Sequence, residues 1–314
     1  MEILFNKATL EHNRGSDIEG PYRINKLLTK VGEANPGLKG TELLGLVHPN
    51  SYINKIKDLC NRNATTAEVK LTPESFTAAS ISAALAVQAA IEGNFAVIRP
   101  PGHHASQRRE LGFCLFNNIA IASKYLINQG KKVFIIDIDA HYGNGTHNIV
   151  LNLENVTYAS IHMGLQFPDF GTEPKIIKVR NQTKVINIPI PNQSRDDILL
   201  GSLNFLEDQV KSANPDVIGV SAGFDGHYLD RIGHLGYTEA GFYEVGKFIR
   251  SLNTEVFAVL EGGYHEKVVD SILTFVAGIN GKDQHTPTKI TVSTENIKNH
   301  FEQTLKLLKN KLRR

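Results

Sequence analysis

In KVFIIDIDAH, Asp137, Asp139 and His141 occupy alternate positions, with Ile138 and Ala140 between them. Side chains at i, i+2 and i+4 of an extended chain share one face, so the two acids and the imidazole point one way and the apolar pair the other. A buried stripe of this kind needs compensation. Like charges in a medium of low dielectric shift their pKa values or destabilise the fold unless a cation sits among them. A bound metal explains the stripe better than a strand end frayed into solvent. Asp225, just after the strand-like VIGVSAGF, can supply a further ligand. Asp139, His141 and Asp225 would leave a fourth position for water or substrate, which marks a catalytic site. Oxygen and nitrogen donors suit Zn²⁺ and also admit Fe²⁺, Co²⁺ or Mn²⁺. Taken alone, Asp225 reads equally well as a helix N-cap; its weight comes from its company.

RPPGHH carries a histidine pair, His103 and His104. Pro100 and Pro101 stiffen the chain and Gly102 permits tight backbone geometry, a way to hold two imidazoles toward one point. Either can act as general base on a metal-activated water. Each needs a partner on its other nitrogen, and Asp137 and Asn144, from the metal strand and the GNG turn after it, are available. Tyr264 follows Gly262 and Gly263, which leave the backbone uncrowded, so its phenol can reach a carbonyl oxygen as an oxyanion donor. On its own such a tyrosine is more often a packing residue.

These groups must be carried by a scaffold. Short β-branched runs at 95–99, 132–137, 156–161, 184–188, 216–221 and 255–260 read as buried strands, and 74–91, 118–129, 195–213 and 238–252 have helical periodicity. Strand alternating with helix implies an α/β fold, a mainly parallel sheet covered on both faces in three α/β/α layers. In such sheets ligands bind beyond the carboxyl ends of the strands. RPPGHH, DIDAHYGNGT, SAGFD and LEGGYHE all follow strand ends, so segments far apart in sequence converge on one edge. Residues 294–314, rich in Leu and Lys, read as a final amphipathic helix whose KNKLRR end is a solvated terminus.

At 314 residues, with 41% hydrophobic and 21% charged, the chain can bury a large core, and no Pro/Ser/Gly-rich linker divides it. A single domain over 1–314 is expected. A formal charge of +2 is too mild for a nucleic-acid partner, which calls for a clustered basic face. Cys60 and Cys114 are too few for a disulfide framework, and the start lacks a signal peptide's basic and apolar regions. The expected compartment is the reducing cytoplasm. No apolar run approaches the roughly 20 residues of a membrane helix, so no membrane partner is expected, and homo-oligomerisation is left open.

Together RPPGHHA, GFCLFNN, DIDAHYGNGT, SAGFD and EGGY resemble the zinc-dependent histone deacetylase family in order and approximate spacing. The likeness extends to Glu19-Gly-Pro21-Tyr-Arg23 and to His48 with Tyr52, and covers about residues 10 to 280. It implies the arginase/deacetylase fold and one Zn²⁺ per chain on Asp139, His141 and Asp225. It also implies His104 as the base and then acid of the pair, and Tyr264 as oxyanion donor. Gly112 and Phe113 should line one wall of a narrow acyl-lysine tunnel, with Phe167 opposite and Gly263 beside the substrate. Arg23 and Cys114 would lie at the acetate end. A structural K⁺ is implied beside Asp137 and the backbones of Asp139, His141, Ser160 and Ile161. Asn144, where other members carry Asp, and Glu261 before the glycines resemble class II. The loop GLQFPDFGTE departs from the more usual aromatic-Pro-Gly turn, which weakens the place of Phe167. Glu68 aligns with the family's rim Asp, which grips substrate backbone, and Ile232 with a position that is acidic in polyamine-selective members.

The implied partner is therefore an acetylated protein lysine or a small acetylated amine, hydrolysed by metal-activated water. A bacterial-style acetylpolyamine amidohydrolase would use the same apparatus. An acetyl-binding module without turnover is a reading of another class, opposed by the presence of both histidines and Tyr264. The related two-Mn²⁺ ureohydrolases need carboxylates where this chain has Gly143 and Gly223, too few ligands for a second metal.

Overall fold

The β-branched runs become strands, and the helical segments between them bring the chain back to the same end of one sheet. The computed structural model describes every residue except 67, 166, 169–170, 181, 283–288 and 314. The strands are β1 (Ile3–Leu4), β2 (Phe95–Ala96), β3 (Val133–Asp137), β4 (Val156–Met163), β5 (Lys175–Val179), β6 (Gln182–Ile190), β7 (Val217–Ala222) and β8 (Glu255–Leu260). Their order is β1-β2-β8-β7-β3-β4-β6-β5. All neighbours are parallel except the β5–β6 hairpin at one edge. The helices are α1 (Gly40–Leu43), α2 (Asn50–Asn61), α3 (Pro73–Glu92), α4 (Asn118–Asn128), α5 (Asn144–Val150), α6 (Asp196–Ala213), α7 (Glu239–Ser251), α8 (Val268–Asn280) and α9 (Glu295–Leu312), with short 3-10 turns before α2.

Period-two alternation divides the strands between two cores. Phe134, Ile136, Ile218, Val220, Ala258 and Leu260 pack with Leu203 of α6, Phe242 of α7 and Phe275 of α8. Val133, Ile135, Val217, Phe257 and Val259 face the other way, toward Leu85 of α3 and Ile119 of α4. The result is the expected three-layer α/β/α arrangement. At roughly 1.5–3 kcal/mol for each fully buried aliphatic or aromatic side chain, these two layers dominate the gross stabilisation.

Two expectations are corrected. The run 95–99 is a strand only over Phe95–Ala96. Arg99 turns its guanidinium into the N-terminal segment, onto the carbonyls of Thr9 and His12 and the carboxylate of Glu19, and Pro100 and Pro101 have no N–H with which to continue a ladder. Second, α3 does reach the length and apolarity of a bilayer-crossing helix: 20 residues, with a window of mean hydropathy 1.2. That window is 67% buried within the fold, between α4 and β8, so its apolarity belongs to the core. Pro73 opens this helix, the Ser75 hydroxyl accepts the Thr72 N–H (3.1 Å), and Gly93 ends it at φ 71°, a left-handed cap that glycine adopts without strain.

The elements α1, α2, α5, α8, β1 and β5 go beyond the sequence reading. The expected tail helix is α9, which buries Ile297, Phe301 and Leu308. The segment before it is tied to α6: Asp196 accepts the Thr291 N–H (2.9 Å) and the Thr238 N–H (2.9 Å), and Asp197 accepts that of Ser293 (3.0 Å).

Candidate active site

The motif-bearing segments follow β2, β8, β7 and β3, which are consecutive in the sheet. Their loops therefore abut at the carboxyl edge, where α/β sheets place ligands. The segment 261–264 after β8 lies between the histidine loop after β2 and the SAGFD segment after β7.

Beyond β3 the alternation continues. Ile138 and Ala140 pack into the α6–α8 core, while Asp139, His141 and Asp225 place one ligand atom each within 4.8 Å of one another. Main-chain N–H groups reach both oxygens of Asp139 and one of Asp225. Asp139 Oδ2 accepts the Gly262 N–H (2.8 Å) and Asp225 Oδ1 that of Ala140 (2.8 Å). Asp139 Oδ1 accepts the His141 N–H (2.9 Å), and His141 Nδ1 lies 2.7 Å from Asp225 Oδ2 and 3.3 Å from Asp139 Oδ1. A Cβ on Gly262 would sit 2.6 Å from Asp139 Oδ2 and 2.7 Å from Asp225 Oδ2, so only glycine closes this cradle. Burial, with the charge of Asp139 behind it, pushes Asp225 up to about 7. Burial would also raise Asp139, but His103 and His141 hold it well below the usual carboxylate range. Two buried acids keep both charges at neutral pH only if a cation shares them, and the O/N donor set fits one divalent ion. Carboxylates for a second ion have no room at the two glycines, since a side chain at Gly223 would overlap Asp139 and one at Gly143 would overlap Asp137 and Tyr158.

The rings of His103 and His104 lie 4.0 Å apart. His103 Nδ1 is 3.1 Å from Asp137 Oδ2, and its Nε2 is 3.8 Å from Asp139 Oδ1. Burial opposes its charge, but the two carboxylates raise it to about 10. His104 Nδ1 meets the neutral amide oxygen of Asn144 at 2.8 Å. Burial, then the charges of His103 and His141, hold His104 well below the ordinary histidine value. With Nδ1 donating to Asn144, Nε2 of His104 keeps a lone pair. Its ring is 6.3 Å from that of the candidate ligand His141.

Residues 261–264 bind all the other segments. The Glu261 carboxylate accepts from the N–H groups of Gly102 (2.7 Å) and His103 (3.0 Å) and from Ser221 Oγ (3.1 Å). Arg23 donates to the carbonyls of Gly263 (2.6 Å) and Glu261 (2.7 Å) and lies over the Tyr264 ring, 4.6 Å from its centroid. The Tyr264 N–H ends on Asp230 Oδ2 (2.6 Å). Tyr264 is buried, which keeps its phenol protonated well above the usual tyrosine value.

The residues assigned to the tunnel come together around this centre. Phe113 stands 5.7 Å from Tyr264, and Phe167 stands edge-on to His104 at 5.1 Å. The unusual loop thus still brings Phe167 to the histidine; Gln166, Asp169 and Phe170 of that loop lie outside the described residues. Gly112 packs against the His104 ring and donates to the carboxylate of exposed Glu68 (2.6 Å). Cys114 is buried, its thiol donating to the Gly112 carbonyl (3.2 Å). The Ile232 N–H bonds Asp230 Oδ1 (2.9 Å). Asp137 and Ser160 are cross-strand partners on β3 and β4, with Ile161 next in the chain.

Sequence reasoning did not anticipate Tyr158, whose hydroxyl donates to Asp137 Oδ2 (2.7 Å), nor Asp230 as the anchor of Tyr264. Tyr158 reads as an ordinary strand aromatic. The Glu19, Arg23 and Arg99 cluster beneath the site was visible only in its first two members: Glu19 receives Arg99 Nε (2.7 Å) and Arg23 Nη1 (3.0 Å).

A family profile described as "Histone deacetylase domain" matches residues 18–279. A protein named "Probable deacetylase" from Methanothermobacter thermautotrophicus is 32% identical over 308 residues, 92% of this chain and 93% of that one. Among solved structures, the HDA15 HD domain superposes with a TM-score of 0.87 at 25% identity, over 99% of this chain and 95% of that one. The acetylpolyamine aminohydrolase of Burkholderia pseudomallei has a TM-score of 0.80 over 89% and 98% of the two chains, and its 23% identity speaks for the fold alone. With its arginase/deacetylase fold and the geometry of the carboxyl edge, the chain belongs to the histone deacetylase family of hydrolases.

Proposed function

We propose that this deacetylase hydrolyses the amide of N-acetyl-lysine in proteins, using one Zn²⁺ held by Asp139, His141 and Asp225. The observation that carries the reading is the geometry of His104: its Nδ1 meets the Asn144 amide oxygen at 2.8 Å, which leaves Nε2 as the acceptor, and its ring stands 6.3 Å from that of His141. When bound, the metal supplies Lewis-acid polarisation of the amide carbonyl and lowers the pKa of water. His104 Nε2 takes the proton from the attacking water and returns it to the departing amine. The Tyr264 hydroxyl donates to the oxygen that becomes negative on attack. Phe113 and Phe167 sheath the apolar stem of the lysine, Gly263 leaves room beside it, and Arg23 with Cys114 lies at the acetyl end. The resemblance adds a structural K⁺ at Asp137 and the main chain of Asp139, His141, Ser160 and Ile161.

Ile232 supports lysine over polyamine. It is fixed through Asp230 to the same carboxylate that holds Tyr264, and it offers no charge to a second ammonium. Glu68 favours the second reading, a small acetylated polyamine, because its exposed carboxylate at the rim can pair with such an ammonium. The test is acetate release from an acetyl-lysine peptide and an N-acetylpolyamine side by side, with and without chelator. Chelator-sensitive turnover of the peptide is expected. Preference for the polyamine overturns the argument from Ile232, and zinc binding without turnover of either points to an acetyl-binding module. Tyr264→Phe should lower turnover by roughly 10²–10³, as loss of one oxyanion donor does, with metal content intact; unchanged turnover removes Tyr264 from the mechanism.

A further inference from the structure

We infer that Glu261 is a positioning residue: its carboxylate clamps the histidine loop and so fixes His103 and His104 relative to the metal ligands. After Arg99 the chain passes two prolines without N–H groups, and the next two N–H groups, of Gly102 and His103, both end on Glu261 Oε2 at 2.7 and 3.0 Å. Oε1 takes the Ser221 hydroxyl at 3.1 Å. On β8 and its continuation, Phe257, Val259 and Glu261 share one parity. The first two pack into the apolar core, and the third breaks the pattern with a carboxylate that is 0% exposed. Among the described residues no lysine or arginine side chain pairs with that carboxylate; Arg23 bonds the main-chain oxygen of Glu261 instead. Burying an unpaired carboxylate is costly, and packing alone would be served by a hydrophobe. The two loop N–H groups are what the carboxylate serves. The next residue, Gly262, donates to Asp139 Oδ2 at 2.8 Å. Two consecutive residues thus hold the histidine loop and a metal ligand, so the separation between proton acceptor and metal is set within one short segment.

The inference rests on the proposed role of His104, and two variants of the full-length, metal-loaded protein test it. Glu261→Gln keeps the reach and an acceptor oxygen while removing the charge; Glu261→Asp keeps the charge and is one methylene too short. Glu261→Asp should lose on the order of 10²-fold in kcat, the scale of a roughly 1 Å misplacement, with KM and zinc content nearly unchanged and faster hydrogen exchange at the Gly102 and His103 amides. Glu261→Gln should restore most of the turnover and the slow exchange. Wild-type kcat in Glu261→Asp, or equal impairment of the two variants, overturns the clamp. If Glu261→Asp does not fold, Ser221→Ala frees Oε1 alone and should give a smaller kcat loss; no loss counts against the clamp. Should His104→Ala leave turnover intact, the proton-acceptor reading fails, and amide exchange at Gly102 and His103 still decides the clamp.

Discussion

His103 and His104 are consecutive, equally buried and 4.0 Å apart ring to ring, yet they sit in different electrostatic company. One nitrogen of His103 bonds Asp137 and the other faces Asp139; His104 bonds the amide of Asn144 and faces two other imidazoles. Burial disfavours the charged form of both. For His103 two carboxylates overcome that penalty and raise it to about 10, whereas for His104 the charges of His103 and His141 add to it. The pair shows that the sign of the neighbouring charge, carboxylate around His103 and imidazole around His104, and not depth in the protein, decides which imidazole is free to accept a proton. The carboxylates around His103 favour its protonated form, and His104, bonded through Nδ1 to a neutral amide, is the member suited to accept a proton.

The contrast can be broken most severely by truncation. His104→Ala should cost roughly 10²–10⁴ in kcat, the range of a general acid–base group, and His103→Ala considerably less; equal losses in acetate release would falsify the division of labour. A subtler test exchanges the partners. In Asn144→Asp, a carboxylate on Nδ1 favours the imidazolium, so the neutral form of His104 requires higher pH. The acid limb of the kcat/KM profile should move up by about 1 unit or more, and an unmoved limb means that His104 does not titrate there. The smallest change is expected for Tyr158→Phe, which deletes one hydrogen bond to Asp137. Thermal unfolding should register a loss of about 1 kcal/mol, with turnover within a few-fold; a collapse of activity would mean that Tyr158, rather than Asp137 alone, orients His103.

The chemistry was more legible in sequence than its support. Asp137, Asp139 and His141 announce themselves because a period of two survives past the strand end, and the glycine- and proline-rich turns mark where side chains must approach closely. The N-terminal region is opaque for a physical reason. Its short 3-10 turns have no periodic apolar pattern and are held by bonds across the whole chain, as when Arg23 reaches Gly263 and Arg99 reaches Thr9 and His12. The β5 edge is hidden differently: KIIKV is partly exposed, and only pairing with β6 makes it a strand. Glu261 was noticed as a family marker, but its bonds to Gly102 and His103 span more than 150 positions, and nothing local predicts them.

The insertion of β8 between β2 and β7 has a bearing on how the protein is made. Strands β3, β4, β6 and β7 are contiguous in the sheet and all precede β8 in the chain, so a growing polypeptide can assemble them while β2 waits without its inner neighbour. The residues that bridge the two halves, Glu261 to Tyr264, leave the ribosome after every metal ligand has done so. Until then Asp139 lacks the Gly262 amide and the histidine loop lacks its anchor. Completion of the catalytic edge is thus a late event in biosynthesis, because the Glu261 carboxylate and the Gly262 amide emerge after every residue that they hold.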